Sequence, residues 1–242
     1  MPIETVKPKA KVAVITRTKN RPIFLRRAIE SVLSQALEDW LHVIVNDGGD
    51  PATVDFLVRC EANAYKGRVL VVHHTESQGM QSASNAGIMA CDSKYLVIHD
   101  DDDSWKPEFL VKTVGALEDM DKSSNVRAVA TQSTQVLEEV LLDGNIVDTG
   151  HEKYVPFDAA TLEAFLKGNL FPPIAFVYRR DIHEEVGLYR QEFDVLGDYD
   201  FNLRLARRFN IQVLDEELAN YHWRQRSFGN TVTRGRSKHR LM

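Results

Sequence analysis

Four consecutive aspartates, Asp100 to Asp103, directly follow the apolar run Tyr95–Ile98. Adjacent carboxylates repel one another, so a folded protein seldom holds four of them at a strand end without a cation. Mg²⁺ and Mn²⁺ prefer such hard oxygen ligands and often share them with substrate phosphates. The run therefore predicts a divalent-metal site, and a solvated acidic loop before Pro107 is the alternative. Trp105 fits either the site or the plain core.

The segment Asp47-Gly48-Gly49-Asp50 is a second candidate for ligand binding. Its glycines permit a tight turn and the close approach of a ligand to the backbone. Asp47 is suited to accept hydrogen bonds from a nucleobase N–H or a ribose hydroxyl, with an ordinary turn as the alternative. Asp50, which precedes Pro51, fits the cap of a helix.

A third acidic segment, Gly197-Asp198-Tyr199-Asp200, opens an amphipathic stretch that predicts a helix over Asp198–Phe209. A carboxylate at a helix start is usually a cap or a partner of the helix dipole. A carboxylate that faces a metal–nucleotide site instead serves as a general base. The spacing alone leaves both roles open for Asp198.

The elements that must position these residues alternate regularly in the first hundred residues. Short apolar runs alternate with segments of helical spacing, which predicts a mostly parallel sheet with helices on both faces. Ligands bind such sheets at the carboxyl ends of the strands. We therefore expect four polar clusters to converge on one sheet edge: Thr16 with Arg17, Asn46 with Asp47, His73 with His74, and Asp100–Asp103.

The second half of the chain shows a mixed pattern without a repeat or an interdomain linker, so we predict a single domain. The pattern indicates a helix near Phe109–Leu117 and strands between Ala128 and Val147 with a turn at Asp143–Asn145. Further along it predicts a short helix at Ala159–Leu166, a buried strand at Ile174–Tyr178 and a helix at Arg180–Val186.

Composition excludes several classes of protein. The 242 residues are 43% apolar and 27% charged with a net charge of −5, which is typical of a packed core and unlike a nucleic-acid binder. Two cysteines, Cys60 and Cys91, make no disulfide framework, and the amino-terminal region has no long apolar run, so we expect a cytoplasmic location. No acidic residue follows Glu217, which indicates a solvated basic tail or an arm for a diphosphate or a membrane surface.

Five segments, in order, resemble the inverting glycosyltransferases of family 2. They are VAVITRTKNRPIFLRRAIESVLSQ, VNDGGD, GMQSASNAGI, HDDDDSWKP and GLYRQEFDVLGDYDFNLRLA, the fourth resembling the DxD metal loop. The resemblance implies an α/β single domain of GT-A type, with a Rossmann-like, mostly parallel sheet flanked by helices. It also implies a division into an extension (1–10), a donor-binding half (11–105), an acceptor-binding and catalytic half (106–226) and a basic tail (227–242).

The resemblance also implies roles for individual residues. Asp198 matches the general base, although Gly197 stands where the family usually has Glu, and Asn46 replaces the usual first Asp of its turn. Asp102 matches the direct metal ligand, with Asp100 and His222 as further metal ligands. The implied nucleotide-sugar contacts are Thr16, Arg17, Asp47, Asn85, Asp100, Asp101, Arg224 and Arg226.

The implied cofactor is Mn²⁺ or Mg²⁺, and the implied donor is a nucleotide-diphosphate sugar, by default a UDP-sugar. The expected acceptor is a saccharide or a lipid-linked saccharide in polysaccharide or glycoconjugate synthesis, with possible peripheral membrane contact through the basic tail. Two alternatives stay open: a degenerate nucleotide-sugar-binding module, and a metal-dependent nucleotidyltransferase. The second usually has a glycine-rich loop after the first strand, where this chain has TRTKNRP.

Overall fold

The computed structural model describes residues 7–120 and 124–224, which form alternating strands and helices. The strands are β1 (Lys9–Thr18), β2 (Trp40–Asp47), β3 (Val69–His74), β4 (Asp92–Asp100), β5 (Ser104–Trp105), β6 (Val126–Val140), β7 (Ile146–Lys153), β8 (Phe176–Arg179) and β9 (Asn210–Trp223). The helices are α1 (Pro22–Leu33), α2 (Pro51–Cys60), α3 (Ala62–Tyr65), α4 (Met80–Ala90), α5 (Phe109–Glu118), α6 (Leu162–Phe165), α7 (His183–Val186) and α8 (Gly197–Ala206).

All nine strands belong to one sheet, in the order β3-β2-β1-β4-β8-β6-β9-β5, with β7 paired to β6. The strands β3, β2, β1 and β4 are mutually parallel, as the alternating pattern predicts. In the second half, β8 runs antiparallel to both β4 and β6, whereas β9 runs parallel to β6. The predicted α/β single domain is confirmed, and its second half is mixed because hairpins and short links replace strand–helix–strand crossovers there.

Helices pack closely on the parallel half of the sheet. Val12–Ile15 of β1 have no exposed surface, as expected for a parallel strand covered on both faces. Gly87 lets α4 approach β1, because a Cβ at this position would lie 2.5 Å from Cγ2 of Ile15. This contact fixes the amino-terminal end of α4 beside the carboxyl end of β1, where the polar clusters meet.

The fold differs from the sequence prediction mainly near its end. The 14-residue strand β9 was not predicted, because Asp215 and Glu216 interrupt its apolar pattern. Both side chains are exposed. They lie at a register shift: Thr131 of β6 pairs with Leu214 of β9, and the next residue, Gln132, pairs with Glu217, so Asp215 and Glu216 have no partner on β6. A bulge thus places these two acids in solvent while the strand continues.

Smaller differences concern element boundaries. The helix predicted to run to Phe209 ends at Ala206, and the helix predicted over Ala159–Leu166 is the single turn α6. The predicted strand Ile174–Tyr178 begins as a 3-10 turn at Pro173–Ala175. Among the described residues, no helix combines the length and apolar character needed to cross a membrane.

Candidate active site

The acidic run at the end of β4 is enclosed by basic side chains and N–H donors. Nε of Arg17 donates to Oδ1 of Asp100 at 3.0 Å. Asp101 is buried and accepts from the hydroxyl of Thr18 at 2.7 Å and from Arg21 at 2.9 Å. Arg21 and Arg224 both contact the carboxylate of Asp102. The backbone N–H of His222 donates to Asp103 at 2.9 Å.

Burial and neighbouring charges give these carboxyl groups different acidities. Burial raises the pKa of Asp101 to about 7, against the opposing effect of Arg21, and it raises the pKa of Asp103 well above its usual value. Burial acts on Asp102 as well, but there Arg21 and Arg224 outweigh it and lower the pKa. Asp102 therefore keeps its negative charge more firmly than Asp101 or Asp103.

Two carboxylates of the run fit a divalent cation. The arginines contact Oδ1 of Asp100 and Oδ2 of Asp102, and the second oxygen of each has no hydrogen-bond partner among the described residues. Such oxygens suit Mg²⁺ or Mn²⁺, which bind one or two carboxylates together with substrate phosphates. Residues 7–120 and 124–224 contain no group of three or more His, Cys, Asp or Glu side chains arranged to hold a metal alone.

His222 does not join this pair of carboxylates. Its Nδ1 lies 2.9 Å from Oε2 of Glu138 and its Nε2 lies 2.9 Å from Oγ of Ser104. Both ring nitrogens thus have protein partners in this structure, and the metal-ligand role of His222 stays a prediction. Arg224 is fully buried and bridges Asp102 and Glu138, and its contact with a nucleotide-sugar also stays a prediction. Arg226 lies outside the described residues.

Asp47 anchors the segment that leads into α4. Its carboxylate accepts hydrogen bonds from His74, from the hydroxyl of Ser77 and from the backbone N–H groups of Gln78 and Gly79, at 2.7–3.0 Å. Burial would raise its pKa, but these donors together lower it. Asp47 thus shapes the turn at the sheet edge, and in this structure neither carboxylate oxygen is without a protein donor. Asp50 caps α2 as predicted.

Two predicted donor contacts have interior positions instead. Thr16 has no exposed surface, and its hydroxyl pairs with Nε2 of His42 at 2.8 Å. Thr18, two residues later, reaches the site because β1 continues beyond its apolar run. The amide of Asn85 makes paired hydrogen bonds with the backbone of Tyr189, at 2.7 and 3.0 Å. Asn85 therefore fastens α4 to the segment before α8 and does not expose its amide to a pocket.

Asp198 lies at the start of α8, and its Oδ2 accepts a hydrogen bond from Asn169 at 2.8 Å. Burial raises the pKa of Asp198, Arg17 acts to lower it, and Asp100 acts to raise it. Arg17 donates to Oγ of Ser84 on α4 at 3.2 Å, and Gln81 of the same helix lies against Gly197, so α4 connects the end of β1 to the start of α8. A Cβ at Gly197 would lie 2.3 Å from Cδ of Gln81, so a larger residue here requires the Gln81 side chain to move.

A cavity of about 160 Å³ opens beside the acidic run, between the end of β1 and the first turns of α1 and α2. Polar and apolar side chains both line it, as in pockets that orient a flat ring through a few polar contacts. The lining residues are Thr18, Asn20, Arg21, Pro22, Leu25, Asp50, Thr53 and Val54.

Four residues of the site were not singled out from the sequence: Thr18, Arg21, Arg27 and Glu138. The signal for the first two is their position at the carboxyl end of β1 and just after it, at the edge where ligands bind. Glu138 is an acidic residue inside a strand and is only 3% exposed, which the sequence pattern does not reveal. Trp105 belongs to the core, where its ring stacks on Phe109 and its Nε1 donates to the carbonyl of Ile174.

The sheet order and the position of the site are those of the GT-A fold. The structure resembles TarS of S. aureus in complex with UDP-GlcNAc, with a TM-score of 0.70, 16% identity and coverage of 89% of this chain and 59% of that one. It also resembles the mannosyltransferase PcManGT of Pyrobaculum calidifontis in complex with GDP-Man and Mn²⁺, with a TM-score of 0.63, 16% identity and coverage of 91% and 60%.

Residues 13–187 match the model of glycosyl transferase family 2, and the chain belongs to that family. Among curated relatives, the chain is 23% identical to YwdF of Bacillus subtilis (strain 168), an uncharacterized glycosyltransferase. The alignment spans 202 residues and covers 84% of this chain and 70% of YwdF. A cyanobacterial relative from Nostoc is matched over only 53% of its length. The chain thus spans 70% of YwdF and 53–60% of the Nostoc relative, TarS and PcManGT.

Proposed function

We propose that this chain transfers a sugar from a nucleotide-diphosphate sugar to an acceptor hydroxyl with inversion at the anomeric carbon. The observation that carries the proposal is the series of contacts from Asp100 through Arg17 to α4, whose Gln81 lies against Gly197, the neighbour of Asp198. These contacts support one site for a carboxylate suited to a cation and a carboxylate suited to act as a base. Residues 11–105 would hold the donor, and residues 106–226 would supply the base and the acceptor surface.

The donor-binding half offers separate places for the nucleobase and the diphosphate of the donor. The cavity between β1, α1 and α2 would take the nucleobase, with Thr18 and Arg21 at its mouth beside the acidic run. TarS binds UDP-GlcNAc and PcManGT binds GDP-Man, which supports a nucleotide-sugar donor here, with a UDP-sugar as the default. Asp47 would act by holding the neighbouring turn.

Asp100 and Asp102 would hold Mn²⁺ or Mg²⁺ through the two oxygens that arginines leave open. When bound, the ion neutralises the charge that develops on the leaving diphosphate. Arg17 and Arg224 add fixed positive charge nearby, which stabilises the same charge without needing to reorganise. The Mn²⁺ present with PcManGT supports this metal use.

Asp198 would accept the proton of the acceptor hydroxyl while that oxygen forms its bond to the anomeric carbon. The bond from the anomeric carbon to the diphosphate breaks in the same displacement, through an oxocarbenium-like transition state. Asn169 would orient the carboxylate for this proton transfer. A saccharide or lipid-linked saccharide supplies the hydroxyl, and the basic segment 227–242, outside the described residues, would contact a membrane.

Replacing Asp198 by Asn tests the assignment of the base. We expect kcat to fall by roughly 10²–10⁴-fold, because the amide cannot accept the proton, while donor binding persists. Transfer and donor hydrolysis would be measured with Mn²⁺ and with chelator. Asp200→Asn is the matched control, since Asp200 pairs with Arg190 and Arg204 and takes no proposed part in the chemistry. Near-wild-type transfer by Asp198→Asn contradicts the proposal.

A further inference from the structure

A buried carboxylate on β6 connects the acidic run to the second half of the molecule. Glu138 is 3% exposed, and both of its oxygens accept hydrogen bonds from basic side chains. Arg27 donates to them at 3.1 and 2.8 Å, and Nδ1 of His222 lies 2.9 Å from Oε2. Arg224 contacts Oε1. Glu138 is therefore the shared counter-charge of two arginines from distant parts of the chain.

Both arginines that Glu138 holds also contact Asp102. NH1 of Arg27 donates to the backbone carbonyl of Asp102 at 2.7 Å, and NH2 of Arg224 contacts its carboxylate. The two guanidinium groups lie against the ring of Phe24, at 5.7 and 4.2 Å from its centroid. This apolar platform confines them near Asp102, so the charge of Glu138 determines how strongly they are drawn to that residue.

We propose that Glu138 is a positioning residue that preserves the cation affinity of Asp102 by balancing the charges of Arg27 and Arg224. Arginine stays protonated even when it is buried, so these two groups cannot relieve an imbalance by losing a proton. Without the charge of Glu138, they turn toward Asp102 and compete with a cation for its carboxylate. The inference rests on the proposed function for the identity of the bound metal.

The test measures binding of Mn²⁺ alone, by electron paramagnetic resonance of the free ion, in wild-type protein and in Glu138→Gln. Groups that support metal ligands typically change metal affinity by roughly 10–100-fold when they are replaced, and we expect a loss of that size. The Mn²⁺ affinity is the diagnostic readout, because Arg224 also has a proposed part in the transfer step. A purely structural role would instead lower thermal stability and leave the Mn²⁺ affinity unchanged.

A second variant acts in the opposite direction and keeps the test informative if Glu138→Gln folds poorly. Arg27→Gln removes one positive charge from the same cluster, so Mn²⁺ should bind as tightly as to wild type or more tightly. The double variant Glu138→Gln/Arg27→Gln restores the balance and should recover most of the lost affinity. Weaker binding in Arg27→Gln, or no recovery in the double variant, overturns the proposal.

The outcome is separable from that of the proposed function. A wild-type protein that transfers sugar and binds no Mn²⁺ overturns the role of Glu138 and leaves the transferase assignment standing. A wild-type protein that binds Mn²⁺ with the expected variant pattern, and accepts no nucleotide-sugar from a broad panel, supports Glu138 and contradicts the transferase.

Discussion

At the scale of single residues, the site depends on carboxylates whose acidities differ because their neighbours differ. Asp102 is held ionised by two arginines, whereas burial raises the pKa of Asp198. A base must be deprotonated to act and also needs appreciable basicity, so a raised pKa favours Asp198 for proton transfer near neutral pH. The same side-chain type would thus serve, in the proposed reaction, as a cation ligand at one position and as a proton acceptor at the other.

The raised pKa of Asp198 leads to a prediction about pH. As the pH falls through that pKa, Asp198 takes up a proton and kcat decreases, so the acid limb lies above the pKa of an ordinary Asp, about 3.9. Asn169 donates to the carboxylate and favours its ionised form. Asn169→Ala should therefore raise the pKa further and move the limb to higher pH.

The measurement is kcat against pH at saturating donor and fixed Mn²⁺. Asp198→Asn serves as the control, because the residual activity of a variant without the titrating group should lack this limb. An acid limb that keeps its midpoint in Asn169→Ala would show that another group controls it.

At the scale of elements, the turn that follows β2 packs closely against the segment that follows β3. Gly48 has φ = 73°, and a Cβ there would overlap the backbone at Glu76 and Ser77. The segment that crosses over Gly48 is the one that Asp47 anchors, and it leads directly into α4. Close approach at a single glycine therefore sets the start of a helix that borders the site.

We predict that Gly48→Ala destabilises the fold by more than about 1–2 kcal/mol, the cost of the left-handed conformation alone for a residue with a Cβ. Gly67→Ala is the control that measures the conformational cost without steric overlap, because Gly67 has φ = 82° and no atom lies within 4 Å of a Cβ built there. Gly115→Ala, in the interior of α5 with nothing within 4 Å, should stabilise by roughly 0.5–1 kcal/mol.

Free energies of unfolding from chemical denaturation give the comparison among the three variants. Equal destabilisation by Gly48→Ala and Gly67→Ala would mean that the loop over Gly48 moves aside at no cost.

At the scale of the whole molecule, the site joins both halves of one sheet, so a bound donor should stabilise the complete domain. A ligand present at 100 times its Kd adds about 2.7 kcal/mol to the stability of the folded state. We expect a matching nucleotide-sugar to raise Tm in the presence of Mn²⁺, and to raise it less with chelator, because Asp100 and Asp102 would bind the diphosphate through the ion.

A thermal-shift panel that contains UDP-GlcNAc and GDP-mannose, each with Mn²⁺ and with chelator, makes this measurement. Mn²⁺ without nucleotide is the control for the effect of the ion alone. An unchanged Tm across the panel would contradict nucleotide-sugar binding by this chain.

The sequence by itself determined the parallel half of the fold and the position of its acidic run. Runs such as Val12–Ile15 are apolar throughout because both faces of these strands are covered, so local pattern and tertiary environment agree. The acidic run was recognisable because four adjacent carboxylates need compensation wherever they lie. The proposal that Asp198 is the base followed from the family resemblance, and the structure adds its place at the start of α8 and its hydrogen bond from Asn169.

Only the tertiary structure decided which groups compensate those carboxylates. Arg27 and Glu138 are 111 positions apart and Arg224 and Glu138 are 86 apart, so no local pattern links them. Thr18 contacts the acidic run and Thr16 does not, because β1 extends past its apolar run. Strand β9 contains a bulge that interrupts its apolar pattern, so the sequence did not predict it. Hydrophobic periodicity is a local property of the chain, whereas the pairing of buried charges depends on which strands become neighbours.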